Sequence, residues 1–322
     1  MKKILFSIFS LLCMGMACYA LPTSSVLLQH KGNVVVYPLD SLNAALRDAV
    51  DDDTLFLSKG VYPSFTIDKK ITIRGAGQET IVGGTITVAI PGTVTLTSTL
   101  IEGLRMNDYN GDINVTMPVN GFKIKQCAFF NLTFDALMYD AVVDRCLCNN
   151  TISIPNSVKT LKMVNSKIRQ CNIKDVSANG ISMINCMTKG FVNGYNFRGT
   201  VINSIVGWPG NVQYNYASCS FVNSLVCTYR LAIDGTCYME NCWTSDNQNL
   251  VKNPAGTTFY CVFSDEELLN KGYVGNDGTV IGFNGGASPY TLELAVPKVQ
   301  SSDVKLDNDN RKLNVSLILT TE

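Results

Sequence analysis

The chain is poor in the residues that most often carry chemistry at neutral pH. It has one histidine, His30, among 322 residues, so a histidine-based mechanism has almost no material, and His30 reads as ordinary surface. Twelve cysteines contain no Cys-x-x-Cys pair, which leaves a Cys/His zinc site without its spacing. Charged residues make up only 16% of the chain and balance at 26 basic against 26 acidic. That balance offers no general attraction to nucleic acid or to an anionic membrane. An acidic polysaccharide can still meet a local basic patch, which totals do not exclude. The N-terminal apolar run, Ile4 to Met16, is too short for a transmembrane span.

That run reads instead as part of an export signal. Lys2 and Lys3 form its positive head and Cys18-Tyr19-Ala20 a small-residue cleavage site, so residues 1–20 are expected to be removed. The alternative is a lipid anchor on Cys18, which Gly15-Met16-Ala17 matches poorly. Either reading places the protein outside the cytoplasm: periplasmic, cell-surface or extracellular. Ten cysteines remain, and an exported protein suggests disulfides. Their spacing argues for a different role.

A cysteine or serine returns at Cys127, Cys146, Ser166, Cys186, Ser204, Ser224 and Cys242, every 18 to 20 residues. Asn165, Asn185, Asn203, Asn223 and Asn241 each stand one place before it. A fixed period near twenty in short β-rich segments indicates a solenoid. Serine cannot form disulfides, so the shared phase reads as a column of small buried side chains. Cys148, Cys171, Cys219, Cys227, Cys237 and Cys261 fall off this phase and leave room for a bridge or two. Alternation within strands places Ile184, Cys186 and Thr188 on one inward face, with Ile202, Ser204 and Val206 likewise. Asn185 and Asn203 are expected outward or at a bend, and Glu240, in the position of Ile184, loosens the pattern at the last repeat.

Ahead of the repeats, Val34 to Tyr37 reads as a strand and Ser41 to Val50 as an amphipathic helix with Ser41 at its N-cap. Short strands broken by glycine follow, from Asp51 to Val88. The succession of a capping helix, Asp53-Thr54, "KGVY" and "IDKKITIRGAG" resembles the opening coils of the pectate-lyase-like right-handed β-helix superfamily. The Asn-Cys/Ser repeats from Phe122 to Thr244 resemble its later coils. The end, "DGTVIGFNGGASPYTLELAVPKV" and "RKLNVSLILTT", resembles secreted β-helix proteins of gut Bacteroidetes. The expected fold is therefore all-β: a single-stranded right-handed parallel β-helix over residues 21–262, with an N-terminal helix cap. Residues 263–322 are expected to close its end as a β cap.

Enzymes of that superfamily act on acidic polysaccharides, but their recognisable catalytic motifs are missing here. The series of polygalacturonases, the "RxPxxR" and "WIDH" of pectate lyases and the "QAR…DFIFG" of pectin methylesterases do not occur. The nearest carboxylate cluster is Asp135, Asp140 and Asp144. Asp144 is placed inward by the repeat phase, and the loop-solvating reading of all three stands beside the catalytic one. A calcium-dependent lyase would draw on Asp135, Asp140, Asp175, Asp234 or Asp246 and on Lys189, Arg198 or Arg230 as base. Those acids share no phase, so calcium is unsupported and no cofactor is expected. Tyr195, Trp208, Tyr214, Tyr216 and Tyr229 lie in or near the turns and suit stacking on sugar rings, with Arg198 and Arg230 beside a uronate. The leading expectation is a non-catalytic, glycan-binding or adhesin-like scaffold. The alternatives are a lyase or glycosidase acting on an acidic polysaccharide, and a structural envelope protein without a ligand.

Overall fold

The computed structural model describes residues 25–91, 99–107, 109–173, 180–188, 191–192, 199–208, 214–216, 219–228, 231–233, 238–244, 265–270, 272–291, 298–307 and 312–320. They form a nearly all-β parallel solenoid. Residues 1–20, expected to be the signal, lie outside the described residues, as do Cys237 and Cys261.

Two sheets run the length of the solenoid. The first stacks Thr54–Leu57, Thr72–Gly75, Leu100–Glu102, Lys123–Lys125, Ala141–Asp144, Thr160–Val164, Gly180–Ile184, Gly199–Ile202, Ser220–Val222 and Tyr238–Glu240 in parallel. The second carries Ala128–Phe134, Leu147–Ile154, Lys167–Ile173, Met187–Thr188, Ile205–Trp208, Leu225–Thr228 and Trp243–Thr244, among others. Pairing residue against equivalent residue sets like side chains in ladders about 4.8 Å apart. One inward ladder runs Leu55, Ile73, Ile101, Ile124, Val143, Met163, Met183, Val201 and Phe221, every member fully buried. Each such side chain contributes about 1.5–3 kcal/mol on burial, so the repeat stabilises itself coil by coil.

Two off-phase cysteines belong to the inward ladders of the second sheet. Cys148 lies between Phe129 and Ile168, and Cys171 is paired with Ile152. Cys148, Cys171 and Cys219 are buried and form no disulfide, so none of them supplies the expected bridge. They serve as small apolar filling.

At the N-terminal end a hairpin replaces the parallel coil. Strand β1 (Ser25–His30) pairs antiparallel with β2 (Asn33–Pro38) on one side and with β3 (Thr54–Leu57) on the other. Lys31 and Gly32 both have positive φ, which closes the hairpin with a two-residue turn of the primed kind. The expected helix is present as Leu42–Asp48, burying Leu42, Ala45 and Leu46. Ser41 does stand before it, but its hydroxyl donates to the Asp40 carboxylate (3.1 Å) and caps no backbone N–H. His30 is not idle surface. Its Nδ1 lies 2.6 Å from Asp53, a buried carboxylate that also accepts the Val50 N–H, so the pair ties the hairpin to the first coil.

The expected inward face needs one correction. Met183 and Val201 are fully buried, whereas Ile184 and Ile202 are half-exposed. Alternation holds within each strand and resets at the asparagine, so the residue before it points outward. Asp144 and Glu240 occupy that same outward position. Asp144 is accordingly on the surface beside Arg145, not inside, and Glu240 keeps the register of the earlier coils.

Candidate functional site

The site is built on the corner between the two sheets. Gln126, Arg145, Asn165, Asn185, Asn203, Asn223 and Asn241 all have φ between 45° and 51°. Left-handed backbone costs most residues about 1–2 kcal/mol, and asparagine tolerates it best after glycine. Gly103, one coil earlier, has φ 69° at the same corner and donates its N–H to Lys125. The repeated asparagine is therefore a bend residue, chosen for its backbone, and its amide is left free for other uses.

The bend explains the cysteine or serine after it. Turning the chain leaves a buried backbone N–H without a backbone partner. The carbonyl two residues before the cysteine or serine accepts the corner N–H of the preceding coil and has a second lone pair to offer. Ser204 Oγ donates to the Ile202 carbonyl (2.7 Å) and accepts the Cys186 N–H of the previous coil (3.1 Å). Ser166 does the same for Val164 and Cys146, and Ser224 for Val222 and Ser204. Cys127, Cys146, Cys186 and Cys242 make the equivalent bond from Sγ to the carbonyl two residues back. Burial pushes the Cys127 and Cys186 thiols up to about 12 and that of Cys146 well above its ordinary range. Such thiols are too weakly ionised to act as nucleophiles.

The segment Asp265–Thr291 lies along the outside of this corner. Leu268, Tyr273, Val280 and Ile281 form a second apolar cluster with Ile205 and Leu225, and Met187 packs against it. These three side chains follow the corner by one residue on the outward side of the second sheet. Lys167, in the same column, sits over the Phe283 ring (5.6 Å to the centroid), itself edge-on to Tyr290. The corner amides hold the segment. Asn165 Nδ2 donates to Gly285 O (2.6 Å), and Asn203 exchanges two bonds with Asn276. Gly286, at φ 81°, passes so close that a Cβ there would overlap the Asn185 amide nitrogen.

Beyond Asn203 the segment stands off the corner. A cavity of 490 Å³ opens there, lined by Asn223, Asn241, Cys242, Val274, Gly275 and Asn276. Asn223 is 7% exposed, and its amide makes no hydrogen bond among the described residues. Among the described residues the lining offers amide donors and acceptors without a charged side chain, and the volume is within the 300–1,000 Å³ typical of small-molecule sites. An uncharged, hydroxyl-rich ligand fits that chemistry, since each hydroxyl both donates and accepts.

The residues expected from sequence divide clearly. Asp140 and Asp144 bracket one strand of the first sheet, four residues apart, or about 13 Å along an extended chain. Both are occupied: Asp140 accepts from Thr160, and Asp144 pairs with Arg145. Asp135 is exposed at the end of a strand of the other sheet. The structure does not gather these carboxylates into the arrangement that hydrolysis requires. Asp175, Asp234, Asp246, Lys189, Arg198, Arg230, Tyr195 and Tyr229 lie outside the described residues. Trp208 ends a strand of the second sheet, and Tyr214–Tyr216 pairs in parallel with Leu231–Ile233; their side chains lie outside the described residues. Among the described residues no cluster of three His, Cys, Asp or Glu side chains suits a metal, and no helix is long and apolar enough to cross a membrane.

Sequence reasoning missed the role of the corner asparagines and the covering segment. The signal was present in Met187, Ile205 and Leu225, apolar residues at an outward phase. Compared with family models, with curated proteins and with solved structures, the chain matches none of them.

Proposed function

We propose that the protein is an exported, non-catalytic scaffold that binds a neutral saccharide at its C-terminal coils. The observation that carries this reading is the cavity at Asn223 and Asn241, where the side-chain amide of Asn223 opens on the cavity and has no hydrogen-bonding partner among the described residues. An amide that opens on a cavity and is not engaged by the protein can donate to and accept from a ligand hydroxyl. Adjoining Asn203 shows how such an amide is satisfied when the covering segment reaches it. The solenoid presents the site on a rigid corner, as a binding surface requires.

The test is a neutral- and acidic-glycan array followed by calorimetry, comparing the protein with Asn223→Gly. Glycine keeps the left-handed bend and removes the amide. Binding by the parent and at least about tenfold loss in the variant is the expected result. Equal binding by both, or no binding by the parent, defeats the proposal. Release of unsaturated uronate or of new reducing ends would replace it with an enzymatic reading.

A further inference from the structure

The N-terminal edge of the first sheet carries a second kind of surface, independent of the cavity. Among the described residues strand β2 has no neighbour on its outer side, and its three consecutive valines are all open: Val34 55%, Val35 50% and Val36 44% exposed. Consecutive residues of a strand face opposite ways, so both faces of β2 are uncovered. Natural edge strands are normally blunted by a charge, a proline or a bulge within the strand. Here Lys31 and Pro38 stand only at its two ends.

The unpaired backbone groups can be assigned from the register. Ser58 N–H donates to Ser25 O (3.1 Å), so Ser25 addresses β3 and the alternate residues Val26, Leu28 and His30 address β2. Their partners are Tyr37, Val35 and Asn33. Val34 and Val36 therefore direct both N–H and C=O outward, and Pro38 offers a carbonyl alone. A second copy of the same strand, run antiparallel, meets this pattern. Val34 lies opposite Val36 of the second copy, the two Val35 residues face each other at the axis, and four backbone bonds form. In that register Lys31 stands opposite Leu39 of the second copy, one residue from its Asp40. Both Lys31 and Asp40 are exposed and neither has an ion-pair partner among the described residues. The symmetry brings a lysine to an aspartate at both ends of the pair, with valine against valine between them.

We propose that two copies of this protein join through β2, extending the first sheet continuously from one solenoid into the other. A C2 interface of this kind is self-complementary, so it closes at the dimer and leaves no edge for further growth. Each solenoid then points away from the joint, setting the two C-terminal ends at opposite extremes.

Sedimentation velocity over a concentration series tests it, with Val36→Pro as the decisive variant. The Val36 N–H is spent on neither β1 nor any other strand, so proline removes an intermolecular bond and adds a ring at the joint without breaking the hairpin. The parent is expected to be dimeric and Val36→Pro monomeric with an unchanged circular dichroism spectrum. Lys31→Glu and Asp40→Lys, each alone, should weaken the dimer by about tenfold, and the two together should restore it. The charge pair reads out independently if the proline variant does not fold. A parent that stays monomeric at about 100 µM overturns the proposal. So does a dimer indifferent to Val36→Pro and to the charge reversals, and so does recovery of a different chain bound at this edge.

Discussion

The outward columns flanking the corner change character halfway along the solenoid. On the first sheet the column runs Arg74, Glu102, Lys125 and Asp144, alternating in sign, and then Val164, Ile184, Ile202 and Val222. On the second it runs Arg105, Ala128, Leu147 and Lys167, and then Met187, Ile205 and Leu225. The first half meets water through ion pairs. The second half is apolar until Glu240 at the last coil of the first sheet, and segment 265–291 covers it on the second sheet. Inward ladders look alike throughout, so a solenoid states which of its faces is covered only through its outward residues.

Most of the buried thiols lie in the first half or at the junction, and alkali gives the largest expected effect. Cys127, Cys146 and Cys148 are buried thiols of the first half, with Cys171 and Cys186 at the junction, while Ser204 and Ser224 hold the next two corners and the half-buried Cys242 the last. A thiol whose folded pKa is raised keeps its proton in the folded state after the unfolded chain has lost its own. Its contribution is complete below the unfolded value and is lost as pH rises towards the folded one. Each thiol removes about 1.4 kcal/mol of stability per pH unit across that window, which opens near pH 9 for all five. Melting temperature measured from neutral to alkaline pH should fall steeply above about pH 9, with hydrogen exchange opening first around residues 127–148. Replacing Cys127 and Cys146 with serine, which keeps the corner bonds, should flatten the decline. A melting temperature that holds steady through that range would sink the account.

Ile205→Lys transplants the charged half's chemistry into the apolar half. Ile205 is buried in one apolar cluster with Tyr273 and Val280. An uncompensated charge there should cost about 3–5 kcal/mol. The solenoid has its own core, so the cost should fall on the docking of the segment. Hydrogen exchange at residues 272–286 should rise by orders of magnitude while the inward ladder keeps its protection. Loss of both together would show that the segment and the coils fold as one unit.

Ser204→Ala strips one corner of both its bonds. The Cys186 N–H loses its partner, whereas the Ile202 C=O keeps the Asn185 N–H, for about 1–3 kcal/mol by chemical denaturation. Ser204→Cys should cost less than about 1 kcal/mol, because Cys186 and Cys146 already occupy the same corner. Equal losses for alanine and cysteine would mean that volume, not hydrogen bonding, selects the residue.

Much of the architecture was open to reading because a twenty-residue period and a two-residue alternation repeat in the sequence. The outward placement of Asp144 and Ile184 was not, since one left-handed residue per coil shifts the phase of the alternation. Five asparagines pointed to that residue, while Gln126 and Arg145 hid it by lacking the usual preference for left-handed backbone. The cavity was illegible for a different reason. Asn223 and Asn276 are 53 residues apart, and nothing local in either segment says that they share a wall.

Glu102→Gln probes the other side of the comparison and should have the smallest effect. Glu102 accepts from Arg74 (3.1 Å) and Lys125 (3.0 Å), and its side chain is only 12% exposed. Both cations are far more open to solvent, which screens their attraction. The loss should therefore stay near 1 kcal/mol and shrink further in about 0.5 M salt. The informative quantity is the contrast with Ile205→Lys. If solvent sets the character of each half, neutralising one outward charge in the first half is nearly silent, and adding one in the second is not. Equal effects at the two positions would mean that the switch from charged to apolar columns follows something other than what covers them.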